Sequence, residues 1–218
     1  MIVIAALPFV VTNRALAAPA ILKAALKKHN IESVALDLNN DVLLRVNSSY
    51  NKGKLHQAFI QNIFSDDIVS EYAHLVKFCA RQILDQQPSM IALSLFCLSC
   101  RPFCQWLCAE LRQHTDVPIV IGGPGVEYSL LWLDHMVSEN LISDYILGDG
   151  ELSFVKYVQC DKNFHGINGT NWTQIPSLAD SVIPDYSDYN FYAYSEPSIP
   201  LVDSRGCVQS CEFCNVIE

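Results

Sequence analysis

Five short runs of apolar, β-branched residues, separated by amphipathic stretches, constrain the fold of this chain more than any other feature. Continuously apolar strands are buried on both faces, which is typical of parallel sheets covered by helices. Strands that alternate with helices predict an α/β fold with right-handed crossovers, here a doubly wound, Rossmann-like sheet of five parallel strands. The predicted strands are residues 2–7, 33–38, 90–96, 118–121 and 144–147.

The intervals between these runs carry the periodicity of helices. In residues 18–29, four apolar side chains recur on one helical face while three lysines lie away from it. Pro19 fits the first turn of that helix. Further helices are predicted over residues 67–86, over residues 101–114 and after residue 151.

Two segments do not follow this alternation. Residues 40–63 predict an insertion or an irregular helix pair, and residues 160–200 combine prolines and tyrosines without periodicity, as a connector does. We therefore expect an α/β domain over residues 1–159, a linker over residues 160–199 and a further segment over residues 200–218.

Ligands of doubly wound sheets bind beyond the carboxyl ends of the strands, and two loops expected at that edge are rich in glycine. Glycine allows a ligand to approach the backbone closely, but it also fits tight strand-to-helix turns. Acidic residues at the start of a helix can contact a ligand, but they can also simply cap the helix and interact favourably with its dipole. The two loops are Gly122-Gly123-Pro124-Gly125 and Gly148-Asp149-Gly150-Glu151.

Composition excludes several classes of protein. Half of the 218 residues are apolar, which excludes disorder, and the net charge of −9 with no basic run argues against nucleic-acid binding. No apolar stretch is long enough for a membrane span. The first twenty residues resemble a signal peptide, but no basic residue precedes their apolar run and Pro8 interrupts it, which favours a buried strand. We expect a reducing, cytoplasmic location, where clustered thiols indicate metal or redox chemistry.

Three of the nine cysteines, Cys207, Cys211 and Cys214, form a C-x3-C-x2-C motif directly after a strand-like segment. Three thiolates can hold three irons of a [4Fe-4S] cluster and leave the fourth iron open to another ligand. Gly206 lets the backbone turn sharply beside the cluster. A zinc site is the alternative, but it normally needs four protein ligands, and neither a fourth cysteine nor a histidine lies near the motif.

The motif Ser-Arg-Gly-Cys-x3-Cys-x-Phe-Cys, over residues 204–214, resembles the signature of radical S-adenosylmethionine (SAM) enzymes. The resemblance implies that Cys207, Cys211 and Cys214 are the cluster ligands and that Phe213 lies against the adenine of SAM. In this family the open iron chelates SAM, and reductive cleavage yields a 5′-deoxyadenosyl radical.

The α/β domain ahead of the motif resembles that of the cobalamin-binding subclass of radical SAM enzymes. The resemblance lies in GGPGVEYS at residues 122–129, whose usual form has histidine where this chain has Gly125, and in GDGE at residues 148–151. It implies cobalamin binding and methylation or radical rearrangement of a substrate that the sequence does not identify. The chain has no D-x-H-x-x-G motif, so cobalt would receive no histidine from this domain. The implied cofactor contacts are Gly122, Gly123, Pro124, Gly148, Asp149, Gly150 and Glu151.

In the resembling family the cysteine motif opens a (β/α) barrel, for which roughly 200 more residues would be needed. We therefore expect the chain to be an amino-terminal piece of such an enzyme, inactive alone. Two alternatives are a non-catalytic cofactor-binding α/β module and a thiol-based metal-binding protein.

A second cysteine group follows the third predicted strand. Cys100, Cys104 and Cys108 recur every four residues, which predicts a buried stripe on one helical face rather than a cluster site. Cys97 and Cys100 lie at the strand end, where a contact with the ligand remains open.

Overall fold

The computed structural model describes residues 1–8, 10, 14–46, 53–54, 57–58, 61, 66–160, 166–169, 181–194 and 196–202. Five parallel strands form one sheet in the order β2-β1-β3-β4-β5, with β1 paired to both β2 and β3. The predicted five-stranded parallel α/β fold is thereby confirmed. The strands are β1 Ile2–Ala6, β2 Ser33–Asp37, β3 Met90–Ser94, β4 Ile119–Gly122 and β5 Asp144–Tyr145.

Helices cover both faces of this sheet. On one face, α1 and α6 pack on a cluster that includes Ile4, Leu26 and Phe154, and the other helices cover the opposite face around a larger cluster. In the order 2-1-3-4-5, successive strands are added to one side of β1 and then to the other. This switch point, between β1 and β3, is where such sheets bind ligands. The helices are α1 Ala17–Lys28, α2 Leu38–Arg45, α3 Asp66–Leu84, α4 Arg101–Arg112, α5 Leu130–Ser138 and α6 Gly150–Val158.

Four strands end earlier than the apolar pattern predicts, β1 and β2 by one residue each and β3 and β5 by two. The strand β2 stops at Asp37 because that side chain accepts a hydrogen bond from the backbone N–H of Asn40 (3.1 Å) and begins α2, which forms the start of the predicted insertion. The ladder of β5 stops at Tyr145, and Ile146 instead forms an antiparallel bridge with Ile167. Apolar character alone does not reveal either event.

Residues 181–194 return to the domain and pack beside α1 and β2. The carboxylate of Asp188 accepts from the backbone N–H of Ala35 (2.8 Å) and pairs with Lys23 (2.6 Å). Farther along, the hydroxyl of Tyr194 donates to the buried carboxylate of Asp37 (2.7 Å). This part of the predicted linker is therefore held against the sheet.

Across the ranges given above, no helix combines the length and the apolar character needed to span a bilayer.

Candidate functional site

A cavity of about 240 Å³ opens at the carboxyl edge of the sheet, between the sheet and helices α1 and α6. Strands β1, β3 and β4 and the amino terminus of α6 all contribute to its walls. The two glycine-rich loops meet here, so all seven cofactor contacts expected within the α/β domain line one cavity. These are Gly122, Gly123, Pro124, Gly148, Asp149, Gly150 and Glu151.

The floor of the cavity is apolar because three strands present one face to it. Ile4, Ala92 and Val120 are consecutive partners in the ladder and therefore form one row across the sheet. Alanine in the middle of that row is small and leaves space above the sheet. Leu22 of α1 and Phe154 of α6 form the facing walls. Such a surface offers water few hydrogen bonds, so it favours the binding of an apolar or aromatic ligand group.

The loop after β4 packs so tightly against the end of β3 that two of its positions require glycine. Gly123 has φ of +102°, and a Cβ there would lie 2.8 Å from the carbonyl oxygen of Leu95. A Cβ at Gly125 would lie 2.9 Å from the same oxygen and 3.2 Å from the backbone nitrogen of Cys97. The backbone N–H of Gly125 also donates to Leu95 (2.8 Å). A side chain at position 125 would therefore clash with the backbone at the end of β3.

The second loop brings the amino terminus of α6 to the cavity. Gly148 has φ of +90°, and a Cβ at Gly150 would lie 3.1 Å from Leu22, so glycine lets α6 approach α1. Asp149 occupies the N-cap position of α6, but its side chain makes no capping hydrogen bond. Glu151 lies in the first helical turn. Both carboxylates line the cavity beside the backbone N–H groups that begin the helix.

A brace between the β3 and β4 loops was not predicted from the sequence. The guanidinium of Arg101, the first residue of α4, donates to the hydroxyl of Ser129 (2.8 Å) and to the carbonyl oxygen of Tyr128. The Ser129 hydroxyl in turn donates to the carbonyl of Gly125. An arginine at a helix amino terminus interacts unfavourably with the helix dipole. That position could have indicated from the sequence that Arg101 has a specific hydrogen-bond partner.

Ser94 was also missed as a residue of the cavity. It ends β3 and contributes a buried hydroxyl to the lining, where a Cβ at Gly123 would lie 3.2 Å from its Oγ. A polar residue at the end of an apolar strand was the signal for it. Its hydroxyl and the carboxylates of Asp149 and Glu151 are the polar side chains of the lining among the described residues.

The cysteine group at the start of α4 is buried as predicted, with Cys100 in the turn just before the helix and Cys104 and Cys108 within it. Cys100, Cys104 and Cys108 are fully buried in the larger core cluster, and burial raises the pKa of Cys104 well above its ordinary range. Within the described ranges, no group of three or more histidine, cysteine or acidic side chains is placed to hold a metal ion. The predicted cluster ligands Cys207, Cys211 and Cys214, with Phe213, lie outside the described residues.

Comparison with solved structures finds a likeness to TsrM, a radical S-adenosylmethionine methyltransferase from Kitasatospora setae. The structure with cobalamin and a [4Fe-4S] cluster bound is 16% identical, with a TM-score of 0.48 over 84% of this chain and 30% of that one. The structure with tryptophan substrate and a SAM analogue bound is 18% identical, with a TM-score of 0.43 over 76% of this chain and 27% of that one.

The chain thus spans less than a third of the length of these structures, and a likeness at this level assigns neither family nor function. No protein-family model matches the chain, and a search of curated proteins finds no match.

Proposed function

We propose that the chain is the cobalamin-binding part of a radical SAM enzyme that also holds a [4Fe-4S] cluster on Cys207, Cys211 and Cys214. The observation that carries the proposal is the cavity at the carboxyl edge, where two loops that resemble those of the cobalamin-binding subclass meet. The reaction class we propose is methylation or radical rearrangement. The domain boundaries at residues 159 and 199 belong to the same proposal.

The cavity fits one part of cobalamin rather than the whole cofactor. Pockets for drug-sized ligands measure about 300–1,000 Å³. A cavity of about 240 Å³ is therefore too small for a corrin ring but suits an apolar or aromatic appendage. The corrin would lie outside, over the strand-end loops, where Gly122 and Gly123 permit close approach to the backbone.

The polar groups at the rim fit the remaining chemistry of the cofactor. Cobalamin carries amide side chains and one phosphate, and the carboxylates of Asp149 and Glu151 can accept hydrogen bonds from amides. The backbone N–H groups at the start of α6 can donate to amide oxygens or to the phosphate. No histidine is among the described residues that line the cavity, so we assign no protein ligand to cobalt.

In this proposal cobalamin supplies methyl-transfer chemistry at cobalt, and the cluster supplies the electron that cleaves SAM. The residues of the domain would hold and orient the cofactor. The row Ile4, Ala92 and Val120 excludes water beneath the bound appendage. Arg101 and Ser129 fix the loop that carries Gly123, which would help to hold the cofactor when it is bound.

Iron content tests the cluster half of the proposal. Anaerobic reconstitution with iron and sulfide should give about four irons per chain, because three thiolates complete the protein's share of a site-differentiated cluster. Replacing Cys207, Cys211 and Cys214 together with alanine should remove that iron. The matched control, Cys160→Ala, changes an exposed cysteine and should keep it.

Equal iron in the triple variant and the control would overturn the cluster assignment. If cobalamin still bound in that case, the chain would be a cofactor-binding module without cluster chemistry.

A further inference from the structure

Two thiols in the loop between β3 and α4 lie within reach of each other. The Sγ atoms of Cys97 and Cys100 are 3.5 Å apart, and the hydroxyl of Ser99 lies 3.0 Å from Cys97 Sγ. A disulfide bond measures about 2.05 Å, so a small movement of either side chain would join the sulfurs. The spacing is C-x2-C just before a helix, an arrangement found in thiols that undergo redox exchange.

The two thiols differ in a way that suits stepwise exchange. Cys97 is partly exposed and open to a reagent, whereas Cys100 is fully buried behind it. Hydrogen bonds to the sulfur, above all from the Cys100 thiol, lower the pKa of Cys97 to about 6. A large fraction of Cys97 is therefore thiolate at neutral pH, and the thiolate is the nucleophile in disulfide exchange.

We propose that Cys97 and Cys100 form a redox-active dithiol that closes to an intramolecular disulfide by exchange with a low-molecular-weight disulfide. The Cys97 thiolate attacks one sulfur of the reagent and expels the first small thiolate. The Cys100 thiol then gives its proton to that thiolate, attacks Cys97 Sγ and expels the second. The pair loses two electrons, and the reagent is reduced to two thiols.

The position of the pair gives its oxidation a structural consequence. The loop that contains Cys97 also provides the Leu95 carbonyl that accepts from Gly125 (2.8 Å). A disulfide would fix the backbone of this loop, which borders the tight turn after β4 beside the cavity. The inference itself rests on the thiol geometry and does not depend on cobalamin or the cluster.

Mass spectrometry of the full chain treated with oxidised glutathione tests the pair. Because Pro102 follows Arg101, trypsin leaves residues 82–112 as one peptide that contains all four cysteines of this region. Free thiols are alkylated under denaturing conditions with one reagent, and those released by later reduction are alkylated with another. We expect the second label on Cys97 and Cys100 and the first label on Cys104 and Cys108.

Variants resolve the order of the steps. Cys100→Ser should accumulate a stable glutathione adduct on Cys97, and Cys97→Ser should leave Cys100 unmodified because it is buried. Cys160→Ser is the matched control and should retain the pair. A persistent adduct on Cys97 beside a free Cys100 in the unsubstituted chain would overturn the proposal, as would two unmodified thiols.

Discussion

Three neighbouring glycines in the β4 loop meet different physical demands. Gly123 needs both its positive φ and the space beside Leu95, and Gly125 needs only the space. Gly122 needs neither, because a Cβ there would meet only the carbonyl oxygen of Ile146 at an ordinary 3.9 Å. Among the described residues Gly122 therefore has no steric need for glycine, and the ligand proposed above would supply one.

Single alanine substitutions separate these demands. Gly123→Ala should lower the free energy of unfolding by about 1–3 kcal/mol, because alanine is strained at positive φ and its Cβ meets Leu95. Gly122→Ala should be neutral or should stabilise the chain by up to about 1 kcal/mol. Urea unfolding measures both. Equal effects of the two substitutions would contradict the described geometry.

At the scale of elements, the segment of residues 181–194 functions as a clamp on α1 and β2. Lys27 pairs with Asp185 (2.8 Å) at an exposed position, whereas the contact between Tyr194 and Asp37 is buried. Exposed ion pairs contribute little, so the buried contacts of the segment dominate its attachment. Asp37 also accepts from Leu16 (3.2 Å) and Asn40 (3.1 Å), and its carboxylate thereby joins the segment to the start of α1 and α2.

This clamp should depend on pH. Burial raises the pKa of Asp37 above its ordinary 3.8, and the Tyr194 hydrogen bond opposes that rise. A raised carboxyl pKa contributes stability that is fully present below 3.8 and is lost as pH rises through the folded value. Tyr194→Phe removes the bond to the ionised form, so it should cost about 1.5–3 kcal/mol at neutral pH and less in acid.

Urea unfolding at neutral pH and near the ordinary carboxyl pKa measures this difference. Tyr192→Phe is the matched control, because Tyr192 is fully exposed and should show no loss at either pH. A loss for Tyr194→Phe that is the same at both values would argue against an ionised Asp37 as the acceptor.

At the scale of the whole molecule, the sequence predicts the sheet well because five buried strands leave a strong apolar pattern. It also predicts that the two glycine-rich loops lie at the cavity, since glycine after a strand indicates a tight turn or a close approach to the backbone. It does not predict the ends of β2 and β5, which depend on the Asp37 cap and on the bridge to Ile167. Contacts between distant segments, such as that of Tyr194 with Asp37, leave no local pattern at all.

The central claim is that the cavity at the carboxyl edge holds one part of cobalamin, and Gly122 offers a direct way to test it. Gly122 is the last residue of β4 and lies two positions after Val120, so a side chain there enters the cavity. Valine suits a strand, and its Cβ meets no close atom, so Gly122→Val should fold. Gly53→Val is the matched control, since no described atom lies within 4 Å of a Cβ placed at Gly53.

The decisive measurement is a spectroscopic titration of the three full-length chains with cobalamin under anaerobic conditions. We expect the unsubstituted chain and Gly53→Val to bind with the same affinity. Gly122→Val should bind at least about tenfold more weakly, a loss of about 1.4 kcal/mol, because its side chain fills the space meant for the cofactor. Equal binding by all three chains, or no binding by the unsubstituted chain, would contradict the account.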